Sequence, residues 1–541
     1  MVMTAIRKNP YIIGCPVNGP DRFFNREKLL AFVADNLNQG ARAILLYGQR
    51  RIGKSSVLAQ LPYALGNEYT FISLSLEGKS QKGLAQVLHE LAKETLFSLE
   101  EASWVPLLPS IAELTLKPEL FVTQFLKQVH EISDRRDLVL LLDEFDTLGD
   151  YPPESAGTHL FPYLQEFISA PGDHYKFLRI VPVIGRRLDD LPILRKVFHS
   201  APLWEIRLLD FTSAAKLITD PAKGILTYSQ DAIEAIFELC AGHPYFTQVM
   251  GFALFSQARA NDRWTVSADD VYTMSDRAIE LGGGGLAWFW DGLPIAERVV
   301  YAAAAEIAEK SSTGIEVKDG EPLELLEDRG ILLTECLHNA QLKLIEWRFI
   351  DRIISRPETV QRGTYRITIE LVRRWLVRQH GIRDEVWELQ DLNPNLKPLY
   401  DEGRHWRNQG ELTKAIRCYD RVFAENPNHL GALFDLAECC LHTHAYARAL
   451  ELFDRAYAVD PVRARDGLLR SGVGYAKILV ERNPAEAQAI LERLLEMGSE
   501  QEQIQLMLNE VKSIESQQKS YKKSFGRFIP EWQWNLSRDE S

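Results

Sequence analysis

The chain lacks what a membrane or an oxidising compartment would require. Its 541 residues contain no long uncharged apolar run, so no transmembrane helix is expected. The opening stretch, MVMTAIRKNPYIIGCPVNGP, has neither the apolar core nor the small-residue cleavage pattern of a secretion signal. Six cysteines are scattered, with no CxxC pair and no histidine at zinc-ligand spacing, which excludes a disulfide framework and a zinc ribbon. A cytoplasmic protein with reduced thiols is the expectation. Positive charge is in deficit, with 62 Lys+Arg against 75 Asp+Glu and a net charge of -13. That argues against broad non-specific nucleic-acid binding and leaves room for a local basic face. Glycine and proline are not in excess, and 46% apolar with 25% charged residues is ordinary folded protein. The length exceeds what one core serves, so three or four domains are expected.

Against these absences, one stretch stands out. Ala43 to Tyr47, AILLY, is a short apolar run of the kind a buried parallel strand uses. Gly48-Gln49-Arg50-Arg51-Ile52-Gly53-Lys54-Ser55 then fits G-x-x-x-x-G-K-[ST], with Ser56 following. The glycines let successive N–H groups curl around phosphates, and the helix opening at Ser55 points its positive end at the same anion. Lys54 is placed to reach the outer phosphates of ATP or ADP, and the Ser55 hydroxyl to bind Mg²⁺. A second run, DLVLLLDEFD, ends a buried strand on Asp143, suited to the Mg²⁺ shell. Glu144 is suited to orient and deprotonate an attacking water. Asp146 reads as a cap for the following segment.

GQRRIGKSS, LLLDEFD and a later GHPYFTQ together resemble the STAND class of signal-transducing P-loop ATPases, relatives of AAA+ proteins. The resemblance runs over most of the first 380 residues. It departs from the class at Phe24-Asn25-Arg26-Glu27, where Asn25 stands for the usual glycine. It implies that Arg186 in FLRIVPVIGRR, with Arg187 beside it, is a sensor arginine at a strand tip. Read from the residues alone, two solvent-facing arginines after a strand account for these positions equally well. It also implies that Pro244 of Gly242-His243-Pro244, in a helical lid, packs on the base of the nucleotide.

Helical spacing in DAIEAIFELC and YFTQVMGFALFSQARA predicts that lid. Gly282 to Gly285 predicts a break after it, either a hinge or an inert spacer. LPIAERVVYAAAAEIA, PLELLEDRGILL and YRITIELVRRWLVRQHG then read as helix, helix and short strands, and a closing helix, the pattern of a winged helix. Arg373, Arg374 and Arg378 cluster on the last of these, as a DNA-binding face would need. The acidic surroundings, and the resemblance, favour an internal role in which the module locks the ADP state.

Ala415, Tyr419 and Pro427 recur 34 residues on as Ala449, Phe453 and Pro461, the period of tetratricopeptide repeats. Gly410 and Ala437 are expected at the small positions where the helices pack, and AEAQAILERLLEMG is expected to cap the stack. Repeats of this kind bind a protein or peptide ligand. The tail, KSYKKSFGRFIPEWQWNLSRDES, mixes lysines with aromatic residues.

The fold class expected is an α/β P-loop NTPase with a parallel sheet, followed by a helical lid, a winged helix and an all-α repeat solenoid. The expected boundaries are 1–40 for an N-terminal segment, 41–208 for the ATPase core and 209–281 for the lid. A hinge at 282–290, a winged-helix-like domain at 291–385, repeats at 386–515 and a tail at 516–541 complete them. Function, by resemblance, is a slow, switch-type ATPase that oligomerises with ATP. No nuclease, protease, TIR or pore motif is present, so it would act on a separate effector, in bacterial defence or regulation. The alternatives are a DNA-handling ATPase using its winged helix, and a scaffold whose ATP site is structural.

Overall fold

Alternate residues of one strand feed two different cores. Leu138, Leu140 and Leu142 join one apolar cluster, and Val139 and Leu141 join another on the opposite face of the sheet. A strand buried on both faces has no polar side to alternate with, so LVLLL is continuous. The computed structural model describes residues 7–17, 19, 23–24, 26–66, 68–79, 81–99, 106–148, 156–169, 175–185, 191–312, 320–353, 364–497 and 501–526. The described chain forms two compact units, Met1–Gly292 with Thr368–Trp375, and Leu293–Ile367 with Leu376–Ser541.

In the first unit, α1 (Glu27–Asn38), β1 (Leu45–Tyr47), α2 (Lys54–Leu65) and β2 (Tyr69–Ser75) come first. Next are α3 (Leu84–Ser98), α4 (Ile111–Leu116), α5 (Lys127–Ile132), β3 (Asp137–Asp143) and α6 (Ala156–Ser169). Then β4 (Leu178–Ile184), α7 (Pro192–Val197) and β5 (Leu203–Glu205) complete the sheet. The strand order is β2-β3-β4-β1-β5, all parallel. Only β4 separates β1 from β3, so the loops that follow these two strands open on one sheet edge. In a parallel sheet that C-terminal edge is where ligands bind.

Residues 209–291 are almost wholly helical: α8 (Phe211–Thr219), α9 (Gln230–Cys240), α10 (Pro244–Asn261) and α11 (Ala268–Asp291). One short parallel pair, β6 (Thr227–Tyr228) with β7 (Thr265–Val266), ties them. The expected break at Gly282–Gly285 is absent, because these glycines lie inside α11, a helix of 24 residues. Packing overrides their poor helix propensity. A Cβ on Gly285 would meet the Tyr245 ring at 2.4 Å, and Tyr245 Oη donates to the Gly282 carbonyl at 3.5 Å. Gly285 lets α10 and α11 approach, while Gly283 and Gly284 face open space.

The second unit begins with α12 (Ile295–Ser312), α13 (Pro322–Asp328) and α14 (Glu335–Glu346). An antiparallel pair, β8 (Ile350–Ile353) with β9 (Thr364–Ile367), follows; α15 (Glu370–Gln379) belongs to the first unit up to Trp375 and to the second from Leu376. Helix α14 precedes the strands, where the sequence pattern had separated only two helices. After α16 (Ile382–Glu385) a 3₁₀ segment, Val386–Leu392, leads to the repeats. These pair α17 (Lys397–Asn408) with α18 (Leu412–Glu425), and α19 (Leu430–His442) with α20 (Tyr446–Val459). Helices α21 (Pro461–Leu479), α22 (Pro484–Glu496) and α23 (Gln501–Gly526) extend the stack. The first repeat helix therefore starts at Lys397 rather than 386, and α23 runs into the expected tail. Residues 527–541 lie outside the described residues.

Gly410 proves to be a turn glycine at φ 79 with nothing near its Cβ position. The close-packing small residue is Gly403, whose Cβ would meet the Tyr419 ring at 2.7 Å, in register with buried Ala437.

Candidate functional site

Strand β1 delivers the loop Gly48–Gly53 to the sheet edge. A Cβ on Gly48 would meet the Ile206 carbonyl at 2.6 Å, so the loop can pass β5 only as glycine. Arg51 and Gly53 are left-handed, at φ 59 and 96, and Gly53 is the N-cap of α2. Left-handed residues of this kind are what let successive main-chain N–H groups converge on an anion. Ile52 is 1% exposed and belongs to the apolar core, so it anchors the loop. Gln49 is buried beside it.

Lys54 is buried, and its ammonium donates to the carbonyls of Gly48 at 3.3 Å and Gln49 at 2.9 Å. Burial lowers its pKa, and Glu144, Asp146 and Asp143 oppose that shift by attraction. Three carboxylates are therefore near enough to attract the loop lysine. Asp143 ends β3 and accepts the Glu144 N–H at 3.0 Å. Glu144 itself is left-handed at φ 51, a conformation a glutamate pays for in strain and that recurs at functional sites. Thr147 holds it by donating to its carbonyl at 2.7 Å. Burial raises the Glu144 pKa, chiefly, with Lys54 acting against that rise. A carboxyl lifted towards neutral is a better proton acceptor.

Asp146 is not a simple cap. It is 7% exposed, and at Gly185 its carboxylate comes together with Lys54 Nζ and Arg50. Sequence reading missed it because its position depends on the tight turn Phe145–Leu148 after β3. Arg186 and Arg187 lie outside the described residues, as does Asn25.

A cleft of about 430 Å³ runs from the Gly48–Ser55 loop and Glu144 to helices α10 and α11. Arg51, Gly53, Lys54, Ser55, Ser56 and Glu144 line it from the sheet side, and Pro244, Tyr245 and Trp288 from the helical side. Arg50 and Arg51 turn to aromatic rings. Arg50 lies 4.4 Å over Trp288 and donates to its carbonyl at 3.0 Å, and Arg51 lies 4.9 Å over Tyr245 and 5.3 Å over Trp288. Pro244 opens α10, and His243 before it is fully buried. Neither His243 ring nitrogen makes a hydrogen bond of good geometry among the described residues, although the Arg50 main chain is close enough to favour the charged ring. Burial, with the charges of Lys54 and Arg26, pushes its pKa down to about 3.

The N-terminal segment is part of this site, which composition and spacing gave no sign of. Asn9 donates to the Phe252 carbonyl at 3.0 Å, and Ile12 N–H to Gln248 at 3.1 Å, both on α10. Val17 N–H donates to Ser56 Oγ on α2 at 3.0 Å. Ile12, Pro16, Val17 and Phe24 add an apolar wall to the cleft. Arg26 donates to the carbonyls of Ile52 at 3.4 Å and Arg207 at 2.8 Å.

Ser55 lines the cleft and Asp143 ends β3, and their oxygens are the donor type Mg²⁺ takes alongside phosphate oxygens and water, since this ion seldom uses a cage made wholly of protein. Among the described residues no group of three or more His, Cys, Asp or Glu could hold a metal by itself. No described helix is long and apolar enough to cross a membrane.

Residues 400–464 match the family model for the tetratricopeptide repeat. No curated protein resembles the chain in sequence. Among solved structures the chain is similar to a Walker-type ATPase of Pyrococcus abyssi, 17% identical over 67% of this chain and 98% of that one, TM-score 0.48. It is similar to the ORC2 protein of Aeropyrum pernix in ADPNP–ADP complexes, 16% identical over 65% and 93%, TM-score 0.43. It is also similar to the RuvB Holliday junction branch migration motor of Thermotoga maritima, 16% identical over 66% and 97%, TM-score 0.35. The parallel five-stranded sheet, the Gly48–Ser55 loop at its edge and the repeat match together define a P-loop NTPase fold followed by tetratricopeptide repeats.

Proposed function

We propose that the protein is an ATP-binding and ATP-hydrolysing switch of the STAND type, whose repeats recognise a protein or peptide and whose active form is an oligomer acting on a separate effector. The observation that carries this reading is the shared cleft, in which Lys54, Ser55 and Glu144 face lid residues Pro244, Tyr245 and Trp288. A nucleotide bound there would touch sheet and lid together, and that is what a lid needs to report the γ-phosphate. Bound Mg²⁺ would neutralise phosphate charge, with Ser55 and Asp143 as its protein ligands. Lys54 supplies the fixed positive charge. Glu144 orients the attacking water and accepts its proton. Residues 291–385 would serve as a winged-helix lock on the ADP state.

Duplex DNA is not adopted as the ligand of that module. Arg373 and Arg374 donate to Glu370 at 2.7 and 2.9 Å, and Arg374 also to Ser275 at 2.9 Å. Arginines held this way have fewer donors left for phosphates.

The test compares Glu144→Gln with Lys54→Ala in ATP and Mg²⁺, following phosphate release and particle mass. Glu144→Gln should still bind ATP, lose hydrolysis by about 10²- to 10⁴-fold and accumulate the assembly. Lys54→Ala should bind nucleotide weakly and stay unassembled. Parental hydrolysis in Glu144→Gln would remove the base assignment. Stalled hydrolysis with no change of mass, with or without a partner, would leave an ATPase and end the switch reading.

A further inference from the structure

Helix α19 is buried in a way its neighbours are not. Every residue from Leu430 to Ala437 is buried. Helix α18 buries one face, through Ala415, Cys418, Tyr419 and Val422. Helix α19 is the centre of the stack, covered by α18, α20 and α21, and the chain's own segment Val386–Leu392 adds to that cover while packing on α12 and α16 as well.

The segment is held as a bound peptide is held. Half-buried Trp387 stacks on Phe434, with centroids 5.6 Å apart and planes at 22°. The Arg463 guanidinium lies 4.3 Å over Phe434 and 5.5 Å from Trp387. Glu388 faces Arg298 of α12 at 3.7 Å. Leu389 is fully buried, and its carbonyl accepts a 2.8 Å hydrogen bond from Asn426, itself 5% exposed. A side-chain amide reading a main-chain carbonyl, an aromatic platform and one cation facing an acid are the elements of peptide recognition. A connecting segment needs only to bridge its flanking helices.

We propose that this face of the repeats is a peptide site held shut by residues 386–392. Its external ligand is a segment of a separate protein with the same spacing: an aromatic residue, an acid, then leucine. This rests on the reading of the repeats as the partner-binding element. The tethered segment competes at an effective concentration of about millimolar, so a ligand engages only by displacing it.

The probe is a fluorescein-labelled synthetic peptide of residues 384–393, DEVWELQDLN, titrated into the full chain. Trp387→Ala, which empties the aromatic platform, should bind it at least ten-fold more tightly than the parental chain. Adding Arg463→Ala to that variant should reverse most of the gain. A peptide of residues 531–538, EWQWNLSR, carries Trp534 and Leu536 at the same spacing with Asn535 in place of the acid. It should bind at least ten-fold more weakly. Tighter binding of this second peptide would make the chain's own tail the occupant and overturn the external partner. Equal binding of the first peptide to parental and variant chains, or no binding to a folded variant, would overturn the site itself. If Trp387→Ala does not fold, hydrogen exchange decides on the parental chain. Excess peptide should expose amides of 386–392 while leaving 430–442 protected, and an unchanged pattern refutes the proposal. Titrations without nucleotide keep this outcome separate from that of the ATP switch, because Lys54→Ala should leave peptide binding intact.

Discussion

That Asp143 and Glu144 come close to Lys54 is legible because phosphate chemistry ties residue type to spacing along the chain. His243 is not, since nothing local distinguishes a buried imidazole from any other residue before a proline. Its burial has a measurable consequence. The folded ring is held neutral, its pKa pushed from 6.5 to about 3, while the unfolded ring titrates near 6.5. Between those values the unfolded chain binds more protons. The stability from neutral His243 is therefore complete above pH 6.5 and falls on acidification, by up to about 1.4 kcal/mol per pH unit. His243→Phe keeps a buried ring without the proton. Urea midpoints from pH 7.5 to 4.5 should show the variant gaining on the parental chain as pH falls. Parallel curves would mean that the ring is not kept neutral by the fold. Asp146 teaches the same lesson. Its closeness to Lys54 depends on the turn after β3, and a motif read as DE plus spacing carries no information on how that turn closes.

Elements follow periodicity well and fail where packing outweighs propensity. Strands β1 and β3 were readable from apolar runs, β4 from the resemblance and the paired repeat helices from the 34-residue period, whereas β2 and β5 were not read. The Gly282–Gly285 run was not, because a glycine needed for close approach looks the same in sequence as a glycine needed for a bend. The structure divides the four. Gly283→Ala and Gly284→Ala add a methyl in open space and remove backbone freedom from the unfolded chain. Each should stabilise by up to about 1 kcal/mol. Gly285→Ala drives a methyl to 2.4 Å from the Tyr245 ring and should destabilise by about 1–3 kcal/mol. Because Tyr245 also carries Arg51, that substitution should weaken nucleotide binding as well. Thermal unfolding of the three variants checks the signs, and a uniform gain across all three would mean that α10 does not press on Gly285. The cationic contacts of Arg50 and Arg51 make a second element-scale prediction. Trp288→Ala removes the ring under both but keeps the main-chain carbonyl that accepts from Arg50, so stopped-flow release of a fluorescent ADP should quicken several-fold, and unchanged release would show that the Trp288 ring has no hold on the loop.

At the scale of the whole molecule, a P-loop fold followed by repeats was readable because each carries its own signature, while the junctions carry none. Segment 386–392 was assigned to the repeats by position, yet it packs on them as a ligand would. The nucleotide cleft belongs wholly to the first unit and the repeat face to the second. Two sites on two units form a switch only if binding at one changes free energy at the other. Linkage makes that requirement quantitative. If ATP changes the affinity of the Trp387→Ala chain for the 384–393 peptide by some factor, the peptide must change ATP affinity by the same factor, typically about 5–150-fold. Both titrations use one variant, with Glu144→Gln added so that ATP persists. Equal factors above unity would establish coupling through the chain. Factors of one in both directions, with both ligands bound, would mean an ATPase and a peptide-binding repeat that share a polypeptide and no equilibrium. Quantitatively unequal factors would point to assembly, whose concentration dependence can mimic coupling, and repeating the titrations at two protein concentrations separates the two.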